Sequence, residues 1–202
     1  MNSELIEWGV AERRMPGETL SGDLHLVKPL ENSVLVAVAD GLGHGKAAAE
    51  ASRLALETVE QCSHRPLAQV LEDCNRSLLR TRGAVMSLAL LNATDNSMAW
   101  VGVGNVAGVL VRTTRDGKPA KESLLSSSGV VGGKLPPLRV AALKIESGDT
   151  LVLATDGIRR GFEDGIVLFD RAERTAQGIL ARDGVDTDDA LVLVATFQGR
   201  PR

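Results

Sequence analysis

The sequence predicts a mixed α+β sandwich, two sheets facing each other with helices covering the outside. Three observations carry that prediction. Strand-like runs occupy both ends of the chain, two helical stretches are inserted early, and turn signals separate the strands at short intervals.

The elements follow in order. Residues 5–11, 23–28 and 33–40 read as strands, and the third is apolar almost throughout (VLVAVA), as a strand covered on both faces would be. In KAAAEASRLALETVEQC, residues 46–62, Ala47, Ala51, Leu54, Leu56 and Val59 recur at roughly helical spacing. Pro66 opens a second helical stretch to Leu79, with Leu67, Val70, Leu71 and Leu78 on its inner side. After Gly83 the pattern returns to strands at 85–91, 98–103 and 106–111, with NATDNS between the first two and the turn RDGK after the third. SSSGVVGGKLPP reads as a flexible Ser/Gly/Pro loop, followed by a strand over 140–145. ESGDT turns the chain into the strand LVLAT, a helix is expected over 171–182, and ALVLVATF forms the last strand. No internal repeat or interdomain linker interrupts this order, so one domain spanning residues 1–202 is expected.

Composition narrows the function classes. The chain has 44% hydrophobic and 24% charged residues, enough for a substantial core. A net charge of -3 argues against non-specific binding to nucleic acid or to an acidic membrane surface. Aromatics make up only 2%, with no tyrosine, which removes the stacking platforms that single-stranded nucleic acid needs. The two cysteines, Cys62 and Cys74, fall in helical stretches and suggest reduced thiols rather than a disulfide framework. There is no long apolar span, and the N-terminus MNSELIEWGV lacks a basic region followed by an apolar block. A soluble, cytoplasmic protein is expected.

Aspartates form the informative pattern. Asp40 ends VLVAVA and is followed by Gly41; Asp156 ends LVLAT and is followed by Gly157. Asp188 and Asp189 precede the final strand, and Asp23 opens an early one after Ser21 and Gly22. A strand-end aspartate alone is commonly a turn former or a helix cap. Four such places, two in the same Asp-Gly context, favour a shared purpose. If the strand ends converge, the charges raise one another's pKa or require a counter-ion. Two hard divalent cations, Mg²⁺ or Mn²⁺, suit an all-oxygen donor set. Glycine after the aspartate lets a backbone carbonyl approach the ion.

Other motifs fail on spacing. DGLGHGK has three residues between Gly41 and Gly45 where a phosphate-binding P-loop has four, and Ala47 follows Lys46 in place of Ser or Thr. Lys46 also occupies the third glycine position of a dinucleotide fingerprint. CNRSLLR, residues 74–80, fits the bare C-x5-R spacing of cysteine phosphatases but lacks the glycine-bearing loop that would activate the thiol, so Cys74 reads as a core residue. His25 and His64 lack partners at ligand spacing, and His44 is the one histidine placed near Asp40.

The set SGD (21–23), VAVADGLGHG (36–45), VGNV (103–106), ATDGI (154–158) and DDALVLV (188–194) resembles the metal-dependent serine/threonine protein phosphatases of the PPM (type 2C) family. It is most similar to the small SpoIIE-like branch, and the short length and ADGLGHG form resemble the RsbX-type stressosome phosphatases. The resemblance implies a four-layer α-β-β-α sandwich with two mostly antiparallel sheets and a centre of two Mn²⁺ or Mg²⁺ ions between them. Carried over by motif, Asp40 would bridge both ions, the Gly41 carbonyl and Asp23 would serve one, and Asp156 and Asp188 the other. Turnover is expected to depend on Asp40 and Asp156. Asn105 and Asp189 are expected to support these ligands, and SSSGVVGG to form a variable flap beside the site. The implied substrates are phosphorylated STAS-domain proteins of a stressosome, acted on by a monomer with no nucleic-acid or membrane partner.

Two departures stand against that pattern. Leu191 occupies a position where the family usually has threonine, and Ala107 one where arginine often stands. The arginine that holds substrate phosphate in eukaryotic relatives has no secure counterpart, with Arg13 and Arg14 both upstream of Asp23. These departures motivate an alternative, a catalytically inactive PPM-like docking protein in the same pathway.

Overall fold

Period-two alternation along the strands builds a sandwich with three separate apolar layers. The structure, a computed structural model, describes residues 5–113, 119–166 and 170–199. Five strands, β1 (Ile6–Arg13), β6 (Ala107–Thr113), β7 (Pro119–Leu124), β9 (Thr150–Ala154) and β10 (Ala190–Phe197), form one sheet in the order β1-β10-β9-β6-β7. The second sheet has the order β2-β3-β4-β5-β8, from β2 (Asp23–Pro29), β3 (Ser33–Gly41), β4 (Ala84–Asn92), β5 (Ser97–Val103) and β8 (Ala141–Lys144). Every paired strand is antiparallel to its neighbour.

On β3, Val34, Val36 and Val38 join Leu151, Leu153, Leu191 and Leu193 in the seam between the sheets. The alternate residues Leu35, Ala37 and Ala39 pack under α1 (Lys46–Gln61) and α2 (Leu67–Leu78). On the far side, Val152, Ala154, Val192 and Val194 pack against Ala172, Ala176 and Ile179 of α3 (Ala172–Asp183). The layers therefore run helices, sheet, sheet, helix, the mixed sandwich expected. Each fully buried leucine or valine contributes about 1.5–3 kcal/mol, so the continuous seam is the main source of stability.

Local differences have physical causes. The buried face of α1 runs through Ala48, Ala51, Ser52, Ala55, Leu56 and Val59, whereas Ala47 is exposed. A run of three alanines gives no contrast by which to choose the inner one. Strand β7 was not foreseen: PAKESL begins with proline, lacks apolar alternation and sits at a sheet edge, where charged residues are favoured. The expected strand 140–145 is shorter, Ala141–Lys144, and a 3₁₀ turn over Phe162–Gly165 follows β9. The RDGK turn falls outside the described residues.

Candidate metal centre

Register brings the first two carboxylates together. β2 and β3 pair from Pro29 opposite Val34 to Asp23 opposite Asp40. Asp40 continues the Val34–Val36–Val38 face, so both carboxylates lie at the end of the seam. In the facing sheet, β9 and β10 pair with Ala154 opposite Val192, so residues just past β9 lie beside the start of β10. Asp156 and the pair Asp188–Asp189 arrive there from opposite directions of the chain.

Asp23 is only 2% exposed, yet it has a partner. The Thr155 hydroxyl donates to Asp23 Oδ2 at 2.7 Å, across the seam. That hydroxyl also accepts the Leu191 N–H at 2.8 Å, while the Thr155 N–H donates to the Leu191 carbonyl at 3.0 Å. Asn105 Nδ2 donates to Asp156 Oδ2 at 2.7 Å. Asp189 turns both oxygens to backbone: Oδ1 accepts the Met15 N–H at 2.8 Å and Oδ2 the Gly22 N–H at 2.7 Å. Asp188 Oδ1 accepts the Asp189 N–H at 2.9 Å.

The carboxylates share one electrostatic field. Burial, then the charges of Asp23, Asp156, Asp188 and Asp189, push Asp40 from 3.8 to about 8. Burial likewise raises Asp23 to about 7; the Thr155 bond opposes this, and Asp189, Asp156 and Asp188 add to it. Asp188 is also raised by burial, with the Asp189 amide opposing and Asp156 and Asp189 reinforcing, while His44 opposes more weakly. Like charges crowded in this way call for a cation, although Asp40 and Asp188 are half-buried and Asp156 is exposed. Among the described residues, no three acidic, histidine or cysteine side chains close into a ready-made cage. An ion here would draw on carboxylates from two or more strands, the Gly41 carbonyl and water. Oxygen-only donors with room for water suit Mg²⁺ or Mn²⁺, so the residues fit such ions.

Packing explains the two Asp-Gly glycines more directly than ion access does. A Cβ on Gly41 would stand 2.0 Å from the Ala48 carbonyl oxygen, and one on Gly157 would stand 2.0 Å from the Asp189 carbonyl oxygen. Glycine lets α1 and the start of β10 close against the acidic strand ends.

The remaining candidates separate clearly. His44 is exposed, with Nδ1 2.5 Å from Glu18 Oε1. Arg13 is committed elsewhere, donating to the Val185 carbonyl at 2.5 Å and pairing with Asp186 at 3.1 Å. Arg14 lines a cavity of about 910 Å³ with Leu20, Asp23, Lys46 and Arg53, where its Nη1 donates to the Thr19 carbonyl at 3.0 Å. Cys74 is buried in α2, its thiol donating to the Ala55 carbonyl at 3.6 Å and pushed by burial to about 12, the opposite of an activated nucleophile. Thr155 is the site residue that strand-end reasoning missed. Its signal lay in the letter before Asp156 in ATDG, beside an unexplained Leu191.

Phosphoserine phosphatase RsbX of Bacillus subtilis (strain 168) is 29% identical over 158 residues, 77% of this chain and 76% of that protein. A solved chain described under the bacterial stressosome, a modular system adapted to control secondary messenger signaling, superposes with TM-score 0.83 at 29% identity, over 94% of this chain and 98% of that one. RsbX in complex with magnesium superposes with TM-score 0.87 at 24% identity, covering 98% of each chain. The model of stage II sporulation protein E (SpoIIE) matches residues 31–198, and this chain belongs to that family.

Proposed function

We propose that this chain is a Mn²⁺- or Mg²⁺-dependent protein phosphatase that removes phosphate from serine or threonine of STAS-domain proteins of a stressosome. One observation carries the reading: Asp23 lies opposite Asp40 in one sheet, Asp156 and Asp188 come from the ends of paired strands in the other, and the charges of Asp23, Asp156 and Asp188 all act on Asp40. In this reading Asp23, Asp40, the Gly41 carbonyl, Asp156 and Asp188 would together hold the ions. Bound divalent ions supply a nucleophile of lowered pKa at neutral pH and offset charge on the phosphoryl group. Asn105 holds Asp156 Oδ2, which leaves the other oxygen to face the centre. Asp189 fixes the backbone around Gly22 and so sets where β2 begins. Arg14 and Lys46 line the cavity beside Asp23 and offer positive charge to an incoming phosphorylated segment.

The likeness to phosphoserine phosphatase RsbX and to a stressosome-associated fold supports the substrate class. Among the described residues no helix is long and apolar enough to cross a membrane; the reading further takes the enzyme to be a cytoplasmic monomer. The test is phosphate release from a serine-phosphorylated STAS-domain protein with added Mn²⁺. Release is expected, to be abolished by EDTA and by Asp40→Asn or Asp156→Asn in folded protein. No release from folded wild type would favour a docking protein that has lost catalysis. Faster turnover of a small phosphate ester than of the phosphoprotein would overturn the substrate class.

A further inference from the structure

Resting on the metal-dependent reading above, we propose that Thr155 is a positioning residue for Asp23, a hydroxyl strap that ties the two halves of the centre across the seam. Thr155 is 2% exposed and its hydroxyl has no access to water as a substitute partner. A threonine hydroxyl has one proton to give. The Leu191 N–H at 2.8 Å occupies a lone pair of Oγ1, and the proton is directed to Asp23 Oδ2 at 2.7 Å, the Leu191 carbonyl being farther at 3.4 Å. Both bonds are thus specified by a single rotamer.

Two consequences follow from that geometry. The Thr155 proton on Asp23 Oδ2 fixes the plane of the carboxylate, and so the direction in which Asp23 would offer oxygen to an ion. Thr155 is also the residue before Asp156, so the strap links a carboxylate of one sheet to the backbone that carries a carboxylate of the other. The position of Asp23 relative to the backbone that carries Asp156 is then set by a hydrogen bond as well as by apolar packing. Leu191, whose side chain lies in the seam, takes part through its backbone amide, which any residue at that position would supply.

Removal of an orienting partner from a metal ligand commonly weakens metal affinity about 10- to 100-fold. The experiment is direct Mn²⁺ titration, by calorimetry or electron paramagnetic resonance, of wild type, Thr155→Val, Thr155→Ser, Asp23→Asn and the Thr155→Val/Asp23→Asn double variant, each checked for folding by circular dichroism. Thr155→Val should bind Mn²⁺ about tenfold or more weakly, and Thr155→Ser should bind it like wild type. In the Asp23→Asn background, Thr155→Val should cause little further loss, because the hydroxyl works through that carboxylate. An equal loss in both backgrounds, or no loss in Thr155→Val, overturns the strap while wild-type binding leaves the metal-dependent reading standing. Absence of Mn²⁺ binding by folded wild type overturns both. Should Thr155→Val not fold, Thr155→Ala takes its place: a loss of Mn²⁺ affinity that Thr155→Ser does not share upholds the strap, and unchanged affinity overturns it.

Discussion

Replacing Asp40 with asparagine should abolish turnover and, without metal, stabilise the fold. The sign comes from linkage. A carboxyl raised in the folded state binds its proton more tightly there than in the unfolded chain. It therefore costs nothing below its unfolded value of 3.8, and progressively more as pH rises towards about 8. That interval spans roughly four tenfold steps in acidity, each about 1.4 kcal/mol, for an upper bound on the order of 5 kcal/mol at pH 8. Asp40 keeps partial access to solvent and its acidic neighbours can protonate in turn, which reduces the expected gain to about 2–3 kcal/mol. For a chain of this size that corresponds to roughly 5–10 °C in Tm. Asparagine keeps the shape of aspartate and its amide can donate to the remaining carboxylates.

The assay is thermal unfolding in EDTA from pH 5 to 9, wild type beside Asp40→Asn. Wild type should lose Tm between pH 5 and 8, whereas the variant should show a shallower slope and a higher Tm at pH 8. Added Mn²⁺ should reverse the order, since only wild type gains fully from binding. Equal pH slopes for the two proteins in EDTA, or a variant less stable than wild type at pH 8, would refute the electrostatic account of this cluster.

Two further outcomes are expected. Gly41→Ala should destabilise by about 3 kcal/mol or more, because its Cβ would stand 2.0 Å from a helix backbone oxygen that cannot move alone; a Tm within about 2 °C of wild type would count against that packing. Asn105→Ala should lower kcat for the phosphoprotein about tenfold with KM little changed, since it frees Asp156 Oδ2 without touching the 910 Å³ cavity; a rise in KM alone would assign Asn105 to substrate binding instead.

Much of the architecture could be read from alternation. VLVAVA announces a strand covered on both faces, and β3 is buried against the seam on one side and α1 and α2 on the other. The acidic cluster was legible because its members sit at strand ends, three of them next to glycine, a conspicuous place for a charge. Partners that act through one hydrogen bond leave a fainter mark. Thr155 is an unremarkable letter in ATDG until the facing sheet supplies Asp23, and Arg13 and Arg14 are equivalent until Arg13 is seen to hold the Val185 carbonyl. The face of α1 was misjudged where Ala47, Ala48 and Ala49 offer identical side chains. β7 escaped notice because an edge strand need not alternate.

The two bonds accepted by Asp189 carry a consequence for how such a centre can diversify. Oδ1 grips the chain at Met15 and Oδ2 grips it again at Gly22, so the loop from one sheet to the other is stapled at both ends by a single side chain. Between the staples, Thr19 and Leu20 form part of the cavity wall, while Ser21, whose hydroxyl accepts the Asp23 N–H at 3.1 Å, still helps to set where β2 starts. The stretch short of Ser21 is thereby free to drift in length and chemistry while the first residue of β2 stays in place.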